Sequence, residues 1–513
     1  MSRACDTEVL VTAEEAFPAF ERAVLAARDR IDAGFRVFDP RTPLISDEAR
    51  ATGDTWADLL MRKLDEGVAI RFVISDFDPV VRPDLHRDSW KSAKVFAGIR
   101  ELTRNPGKLT VRISAHPARV GWGPRLVLWP KVQARLAQTC SDLSGLPDGV
   151  RTEALRCMPG LKGYVVGDSG SVRPLRHRFP PMMPVTHHQK VAVIDDAVLY
   201  IGGLDLDRRR NDTKRHETGA ADTWHDVQLM TRDAELARAA RQHLDRFLDE
   251  CEDPRRVEAA SGLLRTLSVR RRGPAKYLSP RITETGLLNH HLDCISRAEK
   301  FIYLENQFLR DPQITGALVR RAGEVPGLGL LVLLPAAPME VAFDNETSLD
   351  HRYGEYLQSR CINRLGKAFG DRLMIVSPAQ KRRAEASDRS TLAGAPIIFV
   401  HSKVSVFDDR AAIVSSANLN GRSMRWDTEL GMALETPGTV RALRHKVMRA
   451  WLPETAGDEY LAAEPGTVEV WRQLAERNRA SDPENREGFI LPFDAEPAHD
   501  FGTPLPGVPV EMV

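Results

Sequence analysis

Apolar and polar positions along the chain alternate between a helical period and short continuous runs. Phe20, Val24, Ala27 and Ile31 recur at helical spacing, and Pro18 suits a first helical turn. The apolar run at 34–38 then reads as a strand. Asp54-Thr55-Trp56 opens a second helix, with Trp56, Leu59, Leu60 and Leu64 on one face and Gly67 at its end. The run at 68–74 is the next strand. Further on, the pattern predicts helices over 287–298, 314–322 and 353–365, each followed by a strand, at 301–305, 328–334 and 373–376. A helix over 234–248 stands between the two series. Helices alternating with strands predict an α/β sandwich.

The stretch from about 79 to 185 is less regular and reads as an insert that shapes the substrate site or forms a lid. It holds a predicted strand at 109–114, a predicted helix at 131–140 and the run Phe179-Pro180-Pro181-Met182-Met183-Pro184. Residues 254–272 read as a connector ending in Arg270-Arg271-Arg272, a solvated basic run. The expected organisation is a first half over 1–255 carrying the insert, a second half over 256–455, and an extension over 456–513. In that extension a helix is predicted at 468–477, and the last stretch reads as extended chain on the surface.

One motif occurs twice, once in each half. His188-Gln189-Lys190 runs through four apolar residues to Asp195, and His401-Ser402-Lys403 does the same to Asp408. Residues two apart share a face of a strand, so each His and Lys project together while each Asp falls at the strand end. Strand-like runs at 197–203 and 411–416 follow the two copies. One copy alone would be a weak signal. Two copies facing each other place two ammonium groups and two imidazoles around one tetrahedral anion. The lysines would hold non-bridging phosphate oxygens. One neutral imidazole would attack phosphorus, and the other would protonate the leaving oxygen. A carboxylate beside each ring would steady it. The candidates are Asp226, assigned to His188, and Glu429, assigned to His401. A covalent phosphohistidine implies ping-pong kinetics and retention at phosphorus. No cofactor and no metal is expected, because lysine supplies the positive charge.

Composition narrows the setting. A chain of 513 residues argues for two or more domains. Lys and Arg number 72 against 71 Asp and Glu, a net charge of +1 that gives no long-range attraction to nucleic acid. The six cysteines are scattered without a C-x-x-C pair, which argues against a metal site or a disulfide framework. No apolar run approaches the length of a membrane span, and the first residues lack the layout of a secretory signal. A soluble protein is expected, cytoplasmic or exported by a signal-independent route.

The motif pair and its surroundings resemble the phospholipase D superfamily, and the flanks resemble its eukaryotic-type branch. The likeness rests on His187-His188-Gln189-Lys190, Gly202-Gly203-Leu204-Asp205-Leu206, Trp224-His225-Asp226 and Tyr303-Leu304-Glu305-Asn306-Gln307-Phe308. It continues through Ser416-Ala417-Asn418-Leu419-Asn420, Arg422-Ser423-Met424 and Asp427-Thr428-Glu429. The chain departs from the family at Ser415, which replaces the Gly of a Gly-Ser pair, and at Arg209, which stands where the branch often has Gly. The resemblance implies two similar α-β-α sandwich halves packed as an intramolecular pseudo-dimer, the phospholipase D/nuclease fold. It implies a catalytic set of His188, Lys190, Asp195, His401, Lys403 and Asp408, in which His188 is the nucleophile, His401 the acid and then base, and the two aspartates are structural. Asp205, Asn418 and Ser416 would contact substrate, and Glu305, Asn306 and Gln307 would either do so or form a polar core. The implied reaction is hydrolysis of phosphatidylcholine or phosphatidylethanolamine to phosphatidic acid and the head-group alcohol, with transphosphatidylation when an alcohol replaces water. A nuclease, a cardiolipin-synthase-like transferase and a non-enzymatic scaffold are the alternatives. A phospholipid surface is the expected partner, nucleic acid is not, and the chain is expected to be a monomer. The membrane would be met by the body of the protein, with Trp122, Trp129, Met182 and Met183 of the insert read first as core and second as a lipid-facing surface.

Overall fold

The computed structural model describes residues 7–167, 170–257, 262–271 and 278–513; Cys5, Arg272 and part of the 254–272 connector lie outside them. Two sheets form the centre. The first holds β1 (Thr7–Val11), β2 (Arg30–Phe35), β3 (Ala69–Ser75), β4 (Leu109–Ser114), β5 (Val191–Ile194), β6 (Val198–Gly202) and β7 (Val227–Thr231), in the spatial order β1-β7-β6-β5-β2-β3-β4. The second holds β8 (Leu264–Val269), β9 (Arg281–Thr285), β10 (Phe301–Asn306), β11 (Gly329–Leu333), β12 (Leu373–Pro378), β13 (Lys403–Phe407), β14 (Ala411–Ser415), β15 (Glu429–Leu434) and β16 (Ile490–Pro492). Its order is β9-β8-β15-β14-β13-β10-β11-β12-β16.

The inner part of the second order repeats the first strand for strand. In both sheets the second half of the run is parallel, β2-β3-β4 and β10-β11-β12, and the pairs from β1 or β8 up to it are antiparallel. The helices repeat as well. Thr12–Ala26 (α1), Trp56–Asp65 (α2), Pro83–Leu102 (α3) and Ala234–Glu252 (α4) have counterparts in Gly286–Arg297 (α5), Pro312–Glu324 (α6), Leu349–Phe369 (α7) and Pro437–Arg449 (α8). Thus α3 and β4, inside the stretch read as irregular, belong to the repeated unit.

One core joins the halves. Val191, Val193, Leu199 and Ile201 of the first sheet share a cluster with Val404, Val406, Ala412 and Val414 of the second, and α4 and α8 add Leu244, Phe247, Leu443 and Val447. Each such fully buried side chain contributes about 1.5–3 kcal/mol, so the shared cluster binds the halves into one body. The alternate residues Ala192 and Ile194 face a second cluster belonging to the first half, as strand periodicity requires. The helix Gly466–Ala480 lends Val468, Trp471 and Leu474 to the shared core, and β16 closes the edge of the second sheet, so much of 456–513 is packed rather than draped on the surface.

Two early boundaries differ from the sequence pattern. The first helix begins at Thr12, with Pro18 inside it, because Ala13, Ala16 and Phe17 extend its buried stripe upstream. Ile31 lies in β2 rather than on that helix. The Asp195 carboxylate binds the backbone N–H groups of Arg28, Asp29 and Arg30, which starts the strand early. Beyond β4 the helix Trp122–Ser144 forms a small core of its own with Val132, Leu136, Cys140 and Leu143. At its start Trp122, Leu126 and Val127 are exposed, while Trp129 stacks on Phe179 at 3.9 Å. Among the described residues no helix is long and apolar enough to cross a membrane.

Candidate active site

The two motif aspartates do the same job far from the reacting groups. Asp195 caps the start of β2, and Asp408 accepts the N–H groups of Glu299, Lys300 and Phe301 at 2.9 Å to cap β10. Both have φ of 53°, a left-handed conformation that Asp tolerates better than most residues. They are staples between neighbouring strands, which leaves His188, Lys190, His401 and Lys403 as the motif residues available for chemistry.

The chain before each motif leaves its own half. His188 N donates to Thr428 O at 2.8 Å, and His401 N donates to His225 O at 2.8 Å. Each histidine is thereby laid beside the carboxylate of the opposite half. His188 Nδ1 lies 3.0 Å from the Glu429 carboxyl and 3.1 Å from Ser416 O, and His401 Nδ1 lies 2.6 Å from Asp226. This corrects the expected pairing, which joined each histidine to the carboxylate of its own half. With Nδ1 committed, Nε2 of each ring is the atom left for phosphorus or a leaving oxygen.

Both lysines are buried. Lys190 Nζ donates to His188 O at 2.6 Å and lies 3.3 Å from His188 Nε2, while Lys403 Nζ donates to His401 O. The carboxylate paired with Lys190 is Asp205, at 4.0 Å, beyond hydrogen-bonding distance. Asp205 and Asn418 stand at the same offset from His188 and His401, and each holds a buried oxygen without a hydrogen-bond partner, Asp205 Oδ2 and Asn418 Oδ1. Asp205 Oδ1 accepts from Val37 N at 2.8 Å.

Ser416 does not face outward; its hydroxyl donates to Glu429. The corresponding residue of the first half is Gly203, where a Cβ would meet Asp226 Oδ1 at 2.2 Å. The first half therefore needs glycine where the second uses serine. Glu305 lies behind His401, accepting from Ser402 Oγ at 2.5 Å, Tyr303 Oη at 2.6 Å and Trp451 Nε1 at 2.9 Å, with His225 Nε2 at 3.4 Å. Asn306 Oδ1 accepts from Phe308 N and Leu419 N and holds the loop of Asn418. These two residues form the polar core option rather than a substrate contact.

The electrostatics separate the two halves. Burial, with Lys190 and neighbouring cations adding to it, holds His188 well below the ordinary imidazole range, and burial with Lys403 and Lys190 does the same to His401. Burial pushes Glu429 up to about 8 against the pull of Lys190, with Asp427 adding to the rise. Burial raises Asp226 only to about 6, because Lys403, the Val227 N–H and Lys190 oppose it. Burial also brings Lys403 down to about 7. Burial thus favours the neutral form of Glu429, beside His188, more strongly than that of Asp226, beside His401.

Sequence reasoning missed Arg36, which follows β2 and places its guanidinium 3.9 Å from Asp205. The signal was available only by laying β2 on β10, where Arg36 meets Gln307. It also missed the buried chain Asp212–His216–His225–Glu305, linked at 2.7, 3.3 and 3.4 Å.

The chain is similar to known proteins over parts of its length. Residues 292–451 match the family model described as "Cardiolipin synthase, PLD-like domain". Phospholipase D1 of Schizosaccharomyces pombe is 24% identical over 346 residues, covering 50% of this chain and 25% of the relative. Phospholipase D1 of Saccharomyces cerevisiae is 24% identical over 335 residues, covering 48% and 20%. The chain therefore spans a quarter or less of the length of these relatives. Among solved structures, phosphatidylserine synthase of Haemophilus influenzae Rd KW20 superposes with a TM-score of 0.51 at 12% identity, covering 92% of this chain and 93% of that one, which is a likeness of fold. The duplicated sheet, the matched family model and the relatives together support the phospholipase D superfamily as this chain's family.

Proposed function

We propose that the protein cleaves the head-group phosphodiester of a glycerophospholipid through a phosphohistidine, releasing phosphatidic acid and the head-group alcohol. The observation that carries this reading is the pair of Nδ1-anchored imidazoles beside two buried lysines that lack a carboxylate within hydrogen-bonding distance. Such ammonium groups favour an anion between them, and a phosphodiester supplies it. His188 Nε2 forms the bond to phosphorus as the bond from phosphorus to the head-group oxygen breaks. His401, entering as the imidazolium that the bound phosphodiester anion and Asp226 favour against burial and the two lysines, gives that oxygen its Nε2 proton, then takes a proton from water as the water oxygen displaces His188. Burial favours the neutral form of Glu429 more than that of Asp226, which suits a neutral His188 as nucleophile and a His401 that carries its proton as imidazolium. The family resemblance suggests phosphatidylcholine or phosphatidylethanolamine as substrate, and the exposed Trp122, Leu126 and Val127 are consistent with a lipid surface as the place where it is met.

Transfer of the phosphatidyl group to an alcohol is a second reading, favoured by the match to the cardiolipin synthase family model. Both reactions pass through the same intermediate. The test is incubation with lipid vesicles and a primary alcohol, without divalent ions, beside a parallel incubation with single-stranded DNA. Phosphatidic acid and phosphatidyl-alcohol that disappear in His188→Asn support the proposal. Cleavage of DNA alone overturns it in favour of a nuclease.

A further inference from the structure

Three arginines crowd the phosphate cradle, and the chemistry at phosphorus uses none of them. Arg36 is the most exposed to substrate demand. Its partner among the described carboxylates is Asp205 at 3.9 Å, and that carboxylate is itself 4.0 Å from Lys190. Arg422 reaches Asp427 at 2.9 Å and Thr186 at 3.5 Å, two residues ahead of His188. Arg210 pairs with Asp207 and leaves its Nε buried without a partner. These groups sense one another: burial and then Arg82, Arg210 and Arg422 bring Arg36 down to about 10, although Asp205 resists. Geometry sets them around the histidines: Arg36 shares Asp205 with Lys190, Arg422 reaches Thr186 two residues ahead of His188, and Arg210 lies over the Trp224 ring that packs on His401.

The aromatic rings these arginines meet are already covered. Arg210 lies over Trp224 at 4.5 Å, and Trp224 is the ring that packs 4.5 Å from His401. Arg36 lies over Phe77 at 5.2 Å. Phe308, next to Gln307, is covered by Arg310 at 3.9 Å. A quaternary ammonium is bound by open aromatic faces, and here each of these three rings already carries a guanidinium that would repel it. A planar guanidinium instead matches a carboxylate or phosphate through two parallel hydrogen bonds. At the end of β2 the halves differ, because the second carries neutral Gln307 where the first carries Arg36, while Arg422 comes from the second half.

We propose that the head group displaced from phosphorus carries an anion of its own, a carboxylate or a second phosphate, gripped by Arg36 and Arg422, and that a choline head group is disfavoured. This rests on the glycerophospholipid reading above and names its substrate class, in place of the choline or ethanolamine head group that the family resemblance suggests.

The experiment uses monomeric dihexanoyl lipids below their aggregation limit, so that no charged surface contributes. Phosphatidylserine is compared with phosphatidylcholine, and phosphatidylglycerol separates an anionic lipid from an anionic head group. The expected result is a kcat/KM for phosphatidylserine about tenfold or more above both others, the size of a charge-assisted hydrogen-bond pair. Arg36→Gln, which installs the second half's own residue, should cut that ratio about fivefold or more, and Arg422→Gln should lower it independently. Phosphatidylcholine turned over as well as phosphatidylserine, or a ratio unmoved in both variants, overturns the inference while leaving the phospholipase reading intact. No cleavage of any of the three lipids overturns both.

Discussion

The two halves present the same cradle and different proton chemistry. Strand order, flanking helices, the aspartate staples and the His-x-Lys projections recur with one geometry. The residues around them do not. Asp226 faces Glu429, Asp205 faces Asn418, Gly203 faces Ser416 and Arg36 faces Gln307 across the pseudo-twofold relation. Duplication alone gives two equivalent histidines, and a symmetric site has no reason to make one a nucleophile and the other an acid. Unequal carboxylates, one held near 8 and the other near 6 by their surroundings, break that equivalence. What the comparison teaches is that the cationic motif residues are shared equally between the halves, while the groups that could make the two histidines unequal are those that differ between them.

The sharpest way to break the comparison is at the histidines themselves. His188→Asn and His401→Asn should each lower kcat by about four orders of magnitude. A substrate whose leaving group is p-nitrophenolate needs little protonation, so its first, burst-phase release should return largely in His401→Asn and not in His188→Asn, while steady turnover stays slow because His401 also takes the proton from water. Rescue of the other variant would exchange the two roles. The carboxylates come next. Asp226→Asn removes a charge and should cost about a hundredfold or more in kcat, whereas Glu429→Gln replaces a neutral acid and should cost about tenfold or less. Equal losses would sink the assignment of protonation states.

Smaller effects follow away from the reacting groups. Asp408→Ala strands three N–H groups that are partly or fully buried, so urea unfolding should show about 3 kcal/mol lost, while Asp195→Ala, two of whose three partners are exposed to water, should lose about 1 kcal/mol, with kcat of the folded fraction nearly unchanged in both. A large fall in kcat at unchanged stability would return these residues to the chemistry. Least in size is a proton linkage at Lys403. Its ammonium in the fold titrates near 7, below its ordinary value, and an anion needs it charged. Sulfate, which does not titrate in this range, should therefore bind more weakly by up to about tenfold per pH unit as pH rises above 7. Binding measured by calorimetry that is flat from pH 6 to 9 would contradict this.

The sequence by itself determined the local units. Apolar runs between Lys190 and Asp195 and between Lys403 and Asp408 can be strands only, so each His-Lys pair and each terminal Asp was legible at once, and their duplication called for two sheets of one design. Strands whose buried residues are polar were not legible. In β8, Arg265, Thr266 and Ser268 are buried because Glu250 and the Trp426 carbonyl satisfy Arg265 and Ser268, partners that no local pattern announces. The long helix α3 was missed for a related reason, since its few buried positions include His86, Ser89 and Ser92. Only the tertiary structure decided which carboxylate serves which histidine. His188 and Glu429 belong to different halves, and they meet because the backbone before each motif pairs across to the other sheet. Periodicity speaks for residues one or two turns apart, whereas a proton relay assembled from two ends of a chain is fixed by how buried surfaces dock.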